Sequence, residues 1–535
     1  MPAQKNLFGR KCLSIAVLCT VSLVSAVAHG APDDPGEGGA WSSVQGWPMI
    51  PVSAANLPDG RIVAWASNER TAFPAGPEFT YTAIWDPQSN EFTEIPHPTH
   101  DMFCSHHVMM EDGKVFVSGG RNQGNSPWTS TFNPETNEWE VLPNMNRGRW
   151  YPTSVMTADG KVMTSIGSGG GNTAEIWDGS SWSLMGGLNF DGPILNYNHG
   201  ERNWWPIMHL APDGRIFHSG PTPAMHMIDP TGNGSMQQTN THSDWYPKHG
   251  TTVMYDEGKL LTAGGWTNGS TLASSARSMT IDLNGPAPVI TEIAPMLNAR
   301  KFHNGVTLPN GEVLVVGGNT SGAKFNDSGS VFAVELWNPE TGTWREGASM
   351  SVPRNYHSIA LLMLDGRVLA GGGGLCNCAA DHQDSQIYSP PYLFNADGSP
   401  AARPVITRVP AVVEVAETLS VSASPNLDGF SIVKMSSTTH AMNTDLRYLP
   451  LGSFENTAGE YSVTLPGNPN VLTPGYWMLF ALNAQGTPSV AKVIQVSTQG
   501  TVTGPPRIKQ MAALSNLQNT AVDLALVISD PDGDA

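Results

Sequence analysis

Asp112-Gly113-Lys114-Val115-Phe116-Val117-Ser118-Gly119-Gly120 joins a tight turn to an apolar strand and ends that strand on a glycine pair. The same grammar recurs along the chain. Turns of the form Asp-Gly-Arg/Lys, or close variants, place glycines at Gly60, Gly113, Gly160, Gly214, Gly258, Gly311 and Gly366, at intervals of 53, 47, 54, 44, 53 and 55 residues. Glycine pairs follow the strand at Gly119-Gly120, Gly264-Gly265, Gly317-Gly318 and Gly371-Gly372, and an aromatic residue precedes Asp-Pro or Asn-Pro at Trp85, Phe132 and Trp337. Each interval has room for four short strands. Units of this size cannot bury both faces alone, and stacking them radially leaves few open sheet edges.

These features mark kelch-type blades, and seven of them predict a closed β-propeller within residues 29–398. Residues 399–497 open on Arg403-Pro404-Val405-Ile406 and continue as short alternating strands between Gly, Pro and Asn turns, the pattern of an immunoglobulin-like β-sandwich. The expected fold class is therefore all-β. Residues 498–535, with Gly504-Pro505-Pro506 and Asp530-Pro531-Asp532-Gly533-Asp534, read as a linker and the start of a further immunoglobulin- or cadherin-like module, too short to close a sandwich of its own.

At the N-terminus, Lys5, Arg10 and Lys11 precede an apolar run from Leu13 to Ala28, with Ala26 and Ala28 placed for cleavage. Residues 1–28 therefore read as an export signal, and the mature chain is expected to be secreted, periplasmic or on the cell surface, with no membrane span. A formal net charge of -18 would repel phosphate backbones, which argues against nucleic acid as a partner. Cys12 and Cys19 leave with the signal. Cys104, Cys376 and Cys378 remain, an odd number in an oxidising compartment, so one cysteine needs a fate other than an internal disulfide.

Side chains alternate along a strand, so equal offsets from the turn glycine project similarly in different blades. Nine residues before the glycine stand Cys104, Tyr151, Trp205, Phe302 and His357. The interval from Cys104 to Tyr151 is 47 residues, the same as between their glycines, so the two should be near neighbours on consecutive blades. Tyr151, the dipeptide Tyr356-His357 and His440 of the sandwich offer two phenols and two imidazoles, a nitrogen and oxygen donor set that suits Cu(II) better than calcium or magnesium. Blue copper is a competing use of Cys and His, but its close Cys, His and Met spacing is missing downstream of Cys104. His106 and His107 read as strand residues.

Four stretches are specific: His100-Asp101-Met102-Phe103-Cys104, Arg354-Asn355-Tyr356-His357-Ser358 continuing to Gly374-Leu375-Cys376, Thr439-His440, and Pro474-Gly475-Tyr476-Trp477-Met478-Leu479-Phe480. In these the sequence closely resembles the galactose oxidase and glyoxal oxidase family over about residues 90–497. The resemblance implies one copper ion and a thioether joining Cys104 to Tyr151, which would account for the odd cysteine. It implies Tyr151, Tyr356, His357 and His440 as metal ligands, with Tyr356 as proton acceptor and Tyr151 as the radical site. The implied reaction oxidises a primary alcohol or an aldehyde, small molecule or carbohydrate, and reduces O2 to H2O2, with no organic cofactor.

Three departures from the family narrow these expectations. The tryptophan that stacks on the modified tyrosine is missing from its usual loop, which here reads Gly167-Ser168-Gly169-Gly170-Gly171. Trp266, after Gly264-Gly265, is the expected substitute, with Trp150 and Trp205 as rivals. No N-terminal carbohydrate-binding domain precedes the first blade, so a glyoxal-oxidase-like substrate is expected over galactose, for a monomeric enzyme. Cys376 and Cys378, separated by one residue, stand where the family has a disulfide, and both disulfide and free thiols are open. His382 lies where it could contact substrate. The alternative reading is a non-catalytic glycan-binding or adhesion propeller; a hydrolase finds neither paired carboxylates nor a serine elbow.

Overall fold

The computed structural model describes residues 34–121, 125–192, 194, 204–266 and 273–497, with two short paired segments at 507–508 and 528–529. The export signal, and the further module expected over most of 498–535, lie outside the described residues. Among them, seven antiparallel sheets follow one another in chain order. Their innermost strands are Ser53–Asn56, His106–Met109, Thr153–Met156, Ile207–Leu210, Thr251–Asp256, Lys301–Thr307 and Ser358–Leu362, and these head blades one to seven. Each turn glycine read from the sequence lies between the first and second strands of its blade. The outermost strands alternate between covered and exposed positions, as in Glu138–Leu142, whereas most inner strands are buried on both faces.

Blade seven is completed from the other end of the chain: Ala40–Trp41 pairs antiparallel with Tyr388 and Ser389 of its third strand, Asp384–Ser389. The ring is thereby closed by hydrogen bonds between residues about as far apart as the propeller allows. The glycine pairs serve the joints between blades. Gly318 N–H donates to the Arg354 carbonyl at 2.7 Å, Gly265 to Arg300 and Gly120 to Arg149. At Gly317, φ is +76° and an added Cβ would lie 2.2 Å from the Arg354 oxygen, so no other residue lets the next blade approach so closely.

The same three arginines are fully or almost fully buried, each paired with a carboxylate of its own blade: Arg149 with Glu175, Arg300 with Glu335, and Arg354 with Asp384. They also donate to backbone carbonyls, Arg149 to Ile166 and Thr173, and Arg354 to Gly372 and Asp384. Removing one partner would strand a buried charge, which typically costs about 3–5 kcal/mol. These pairs anchor the loops that enter the central channel.

The C-terminal sandwich orders its strands Ile406–Arg408, Thr418–Ala423, Glu460–Thr464, Tyr448–Thr457, Gly429–Lys434, Gly475–Leu482, Lys492–Val496 and Val412–Val413. Tyr448–Thr457 pairs with Gly429–Lys434 through its first half and with Glu460–Thr464 through its second, so one strand serves both sheets. Val433, Met435, Leu446, Tyr448, Met478 and Phe480 share a continuous core with Val313, Leu336, Leu362 and Val368 of the propeller. The sandwich is therefore packed onto the ring by apolar burial as well as by hydrogen bonds.

Candidate active site

Cys104, Tyr151, Trp205, Phe302 and His357 each occupy the left-handed backbone region, with φ between +43° and +72°. His249, nine residues before Gly258, does the same at +60° and was not among the residues read from the offset. Positive φ is costly for bulky side chains. It is held here by hydrogen bonds between successive loops: Tyr151 N–H donates to the Cys104 carbonyl at 3.0 Å, Trp205 to Tyr151 at 3.0 Å, and Phe302 to His249 at 2.7 Å. The register argument from the sequence therefore describes a repeated strained corner that turns six side chains toward the channel.

Blade one has Pro51 at that offset, and proline cannot adopt positive φ. Its place is taken by the sandwich. Ser437–Thr439 pairs antiparallel with Ser53, Ala54 and Ala55, adding a strand to the inner edge of blade one. The chain then reverses in a two-residue hairpin, with Thr439 and Met442 exchanging hydrogen bonds and His440 and Ala441 at φ +51° and +68°, as primed hairpin turns require. His440 is thus carried by a paired strand and a tight turn rather than by an extended free loop. Thr444 donates to the Ser154 carbonyl, Met109 N–H to Asp445, and Ser437 to the His107 carbonyl, tying this insertion to blades two and three.

The Tyr151 and Tyr356 hydroxyls are 3.4 Å apart, and the Cys104 sulfur is 3.6 Å from His440 Nε2. One donor atom each from Cys104, His357 and His440 lie within 4.8 Å of one another. Cys104 and Tyr151 share one buried cluster, and thiol and phenol act on each other's ionisation. His357 Nδ1 donates to the Gly374 carbonyl, leaving Nε2 buried without a protein partner among the described residues. Thr439 Oγ1 donates to the Val52 carbonyl, so it accepts from His440 Nδ1 and leaves the Nε2 lone pair facing the channel. Two imidazole lone pairs and two phenol oxygens converging on one point fit a copper ion.

Burial dominates the proton affinities. It lowers His357 to about 3 and His440 well below the usual imidazole range, so both rings are neutral and ready to act as ligands. It raises Cys104 and Tyr151 far above their usual values; next in size, a hydrogen bond with Tyr151 partly offsets the rise at Cys104, whereas the charge of Cys104 adds to the rise at Tyr151. A free Tyr151 phenolate is therefore excluded at neutral pH unless a cation compensates it.

The rings packed on Tyr151 are Trp150, stacked at 4.5 Å between centroids and 22° between planes, Trp204 at 4.1 Å and Trp205 edge-on at 4.2 Å. Trp266, the expected cover, is elsewhere: it lies 5.8 Å from His249 and against the ammonium groups of Lys248 and Lys301. The reason is the blade step, since Trp266 follows the Gly-Gly of blade five and stands beside the blade-five corner, whereas Trp150 adjoins Tyr151 in sequence. Trp205 also lies 4.0 Å from the His440 ring. Trp204 carried no sequence signal beyond being adjacent to Trp205. Phe103 and Phe325 wall His357, and Phe325 also meets Tyr356.

His106 and His107 are buried in the inner strand of blade two, His107 edge-on to Trp65, as the strand reading requires. Cys376 and Cys378 are joined by a disulfide, on a loop held by Asp381 through the Cys376 and Cys378 N–H groups. His382 is paired with Asp327 at 3.0 Å. No helix among the described residues is long and apolar enough to cross a membrane.

A propeller whose axis gathers a thiol against a phenol, a second phenol and two neutral imidazoles, one of them delivered by a docked sandwich, defines the class of the propeller copper oxidases. Known proteins agree. The family model described as glyoxal oxidase N-terminus matches residues 49–387, and that of the galactose oxidase-like Early set domain matches 403–496. Galactose oxidase of Gibberella zeae is 33% identical over 508 residues, covering 90% of this chain and 73% of the relative. An aldehyde oxidase of Vitis pseudoreticulata is 29% identical over 330 residues, 55% of this chain and 62% of the relative. A solved fungal alcohol oxidase in complex with copper superposes with a TM-score of 0.82 at 32% identity, over 86% of this chain and 100% of that one. The chain belongs to the galactose oxidase and glyoxal oxidase family of copper-radical oxidases, which act on alcohol or aldehyde groups.

Proposed function

We propose that this enzyme oxidises a primary alcohol or a hydrated aldehyde, in the manner of a glyoxal oxidase rather than a galactose oxidase, with O2 reduced to H2O2. The observation that carries the reading is the thiol of Cys104 against Tyr151, beside two imidazole nitrogens that have no proton. The glyoxal-oxidase match across residues 49–387 favours aldehydes. Release from the cell follows from the export-signal reading, and action as a monomer belongs to the same proposal.

In this reading His357 and His440 would hold copper through Nε2, and Tyr151 and Tyr356 through their phenol oxygens. Copper, when bound, accepts one electron and makes a nearby hydroxyl more acidic. Cys104 loses its S–H hydrogen and Tyr151 one ring hydrogen as the carbon–sulfur bond forms, with both electrons and both protons passing to O2. The sulfur makes Tyr151 easier to oxidise by one electron. Tyr356 accepts the substrate hydroxyl proton at its phenol oxygen. The Tyr151 oxygen then takes a hydrogen atom from the substrate carbon. Trp150, stacked on Tyr151, and Phe103 and Phe325, beside His357, exclude water from the radical.

Peptide mass mapping tests this. Mature protein exposed to copper and air, then reduced and digested, should yield the Cys104 and Tyr151 peptides joined, two hydrogens lighter than their sum. Recovery of the two peptides separately from folded, copper-loaded protein would sink the radical-oxidase reading and leave a binding propeller.

A further inference from the structure

The corners that shape the copper cluster stand at one end of the inner strands, and a second gathering of polar and aromatic residues stands at the other. In blade six, Lys301–Thr307 leads from Phe302, whose ring meets Tyr356, to the turn at Asn310 and Glu312, about 20 Å further along an extended strand. In blade five, Thr251–Asp256 leads likewise from the His249 corner to Tyr255 and Asp256. The sandwich meets both turns at this far end. The Tyr448 ring rests on Gly311, where an added Cβ would lie 3.2 Å from it.

Two cavities open here, of about 440 and 470 Å³, with Asn310 and Glu312 as their common wall. Tyr255, Tyr448, Asn338 and Pro450 line the first, and Phe394, Asn395, Asn483 and Gln485 the second. Tyr448 is only 8% exposed, yet its hydroxyl has no hydrogen-bond partner among the described residues. Burial, and then the carboxylates of Asp256 and Glu340, keep that phenol neutral and able to donate. The Tyr255 hydroxyl and the Gln485 side-chain amide are likewise without partners among the described residues, and the Asn338 side chain uses only its oxygen, which accepts from Glu340 N–H.

The charges, by contrast, are matched within the walls. Asp256 pairs with Lys259 at 2.8 Å, and Glu312 pairs with Arg345 through two hydrogen bonds. Glu340, exposed at the rim, is the one lining charge with no ionic partner among the described residues. Phenols and amides can each donate and accept, and here they sit between aromatic and proline rings. Such a wall complements a ligand that carries many hydroxyls on C–H faces. An ion would find its counter-charge already taken, and a purely apolar ligand would strand the Tyr448 hydroxyl.

We propose that this cleft is a second binding site, which takes a short stretch of a neutral oligosaccharide. It lies at the opposite end of the inner strands from the copper cluster, so the enzyme can rest on a polysaccharide while its channel stays open to a small substrate. The inference does not depend on the oxidase reading.

Calorimetric titration of the copper-loaded enzyme with cellotetraose, xylotetraose, mannotetraose and tetra-N-acetylchitotetraose tests it. At least one should bind, and Tyr448→Phe, which removes a single oxygen, should weaken that binding by about tenfold, the scale of one lost buried hydrogen bond. Gln485→Ala should weaken it less, and its exposed position keeps the test readable if the buried change disturbs folding. Peroxide production from glycolaldehyde should be the same in both variants, and the tetrasaccharide should not compete with it. Binding of none of the four, an affinity unchanged in both variants, or competition with glycolaldehyde overturns the proposal, the last by placing the sugar in the channel. Binding weakened by Tyr448→Phe in an enzyme that makes no peroxide from any substrate upholds the cleft and counts against the oxidase reading alone.

Discussion

Blades two, three and seven and blades four, five and six present one backbone corner and two kinds of chemistry. All six corners are left-handed. In the first group the corner carries Cys104, Tyr151 and His357, and in the second Trp205, His249 and Phe302. The second group packs on the first: Trp205 on Tyr151 and His440, Phe302 on Tyr356, and His249 on Phe302. The repeat therefore supplies equivalent places, and reactive residues occupy one arc while rings occupy the other to hold them. Blade one, whose proline cannot make the corner, receives His440 from the sandwich.

The sharpest way to break this comparison is to exchange residues at equivalent corners. Cys104→Ser should abolish the thioether and lower kcat by about a thousandfold or more while copper still binds, whereas Phe302→Leu at the same corner should cost less than about tenfold. Equal losses, read by steady-state kinetics and the radical absorption band, would show that the corner and not its residue matters. Next in size, Tyr356→Phe should lower kcat by about a hundredfold with the crosslinked peptide still formed, the scale of a lost proton acceptor.

The blade-one substitution is tested at Thr439, which accepts from His440 Nδ1. Thr439→Val should weaken copper affinity by about tenfold to a hundredfold, measured by competition with a chelator, and leave the melting temperature of the propeller core little changed. Unchanged affinity would mean that the hairpin alone orients the imidazole.

The smallest effect concerns support of the corner in blade two. His100 Nε2 donates to the Gly119 carbonyl at 2.7 Å, so its Nδ1 accepts from the Ser130 hydroxyl at 2.9 Å, and burial lowers it to about 3. Its folded affinity for a proton lies below its unfolded one, so the unfolded chain gains the proton first as pH falls through the usual histidine value near 6.5. Stability should decline across the window from about pH 6.5 to pH 3, by about 2 kcal/mol for this group on reaching pH 5. Urea melts at two pH values should show a smaller decline in His100→Gln.

Much of this was legible because propellers write their geometry into spacing. The 47-residue interval sets Cys104 beside Tyr151, since turn glycine and corner residue keep the same spacing in both blades. His249 obeys the same count, yet a histidine among aromatic residues drew no attention. Pro51 at the blade-one offset was a signal too, since it announced a corner that the ring could not make. Trp266 stands beside the blade-five corner, which loop analogy does not reveal, whereas its rival Trp150, adjacent in sequence, stacks on Tyr151.

The closure of the ring also dates the birth of the active centre. Ala40–Trp41 must wait for Asp384–Ser389 before the propeller is sealed, and the corner of blade one stays vacant until residue 440 has left the ribosome. A nascent chain can already hold Cys104 and Tyr151 side by side, but it lacks His357 and His440, the imidazoles proposed above to hold the metal. The oxidising machinery proposed above is thus silent until the chain has been made at least as far as the sandwich hairpin.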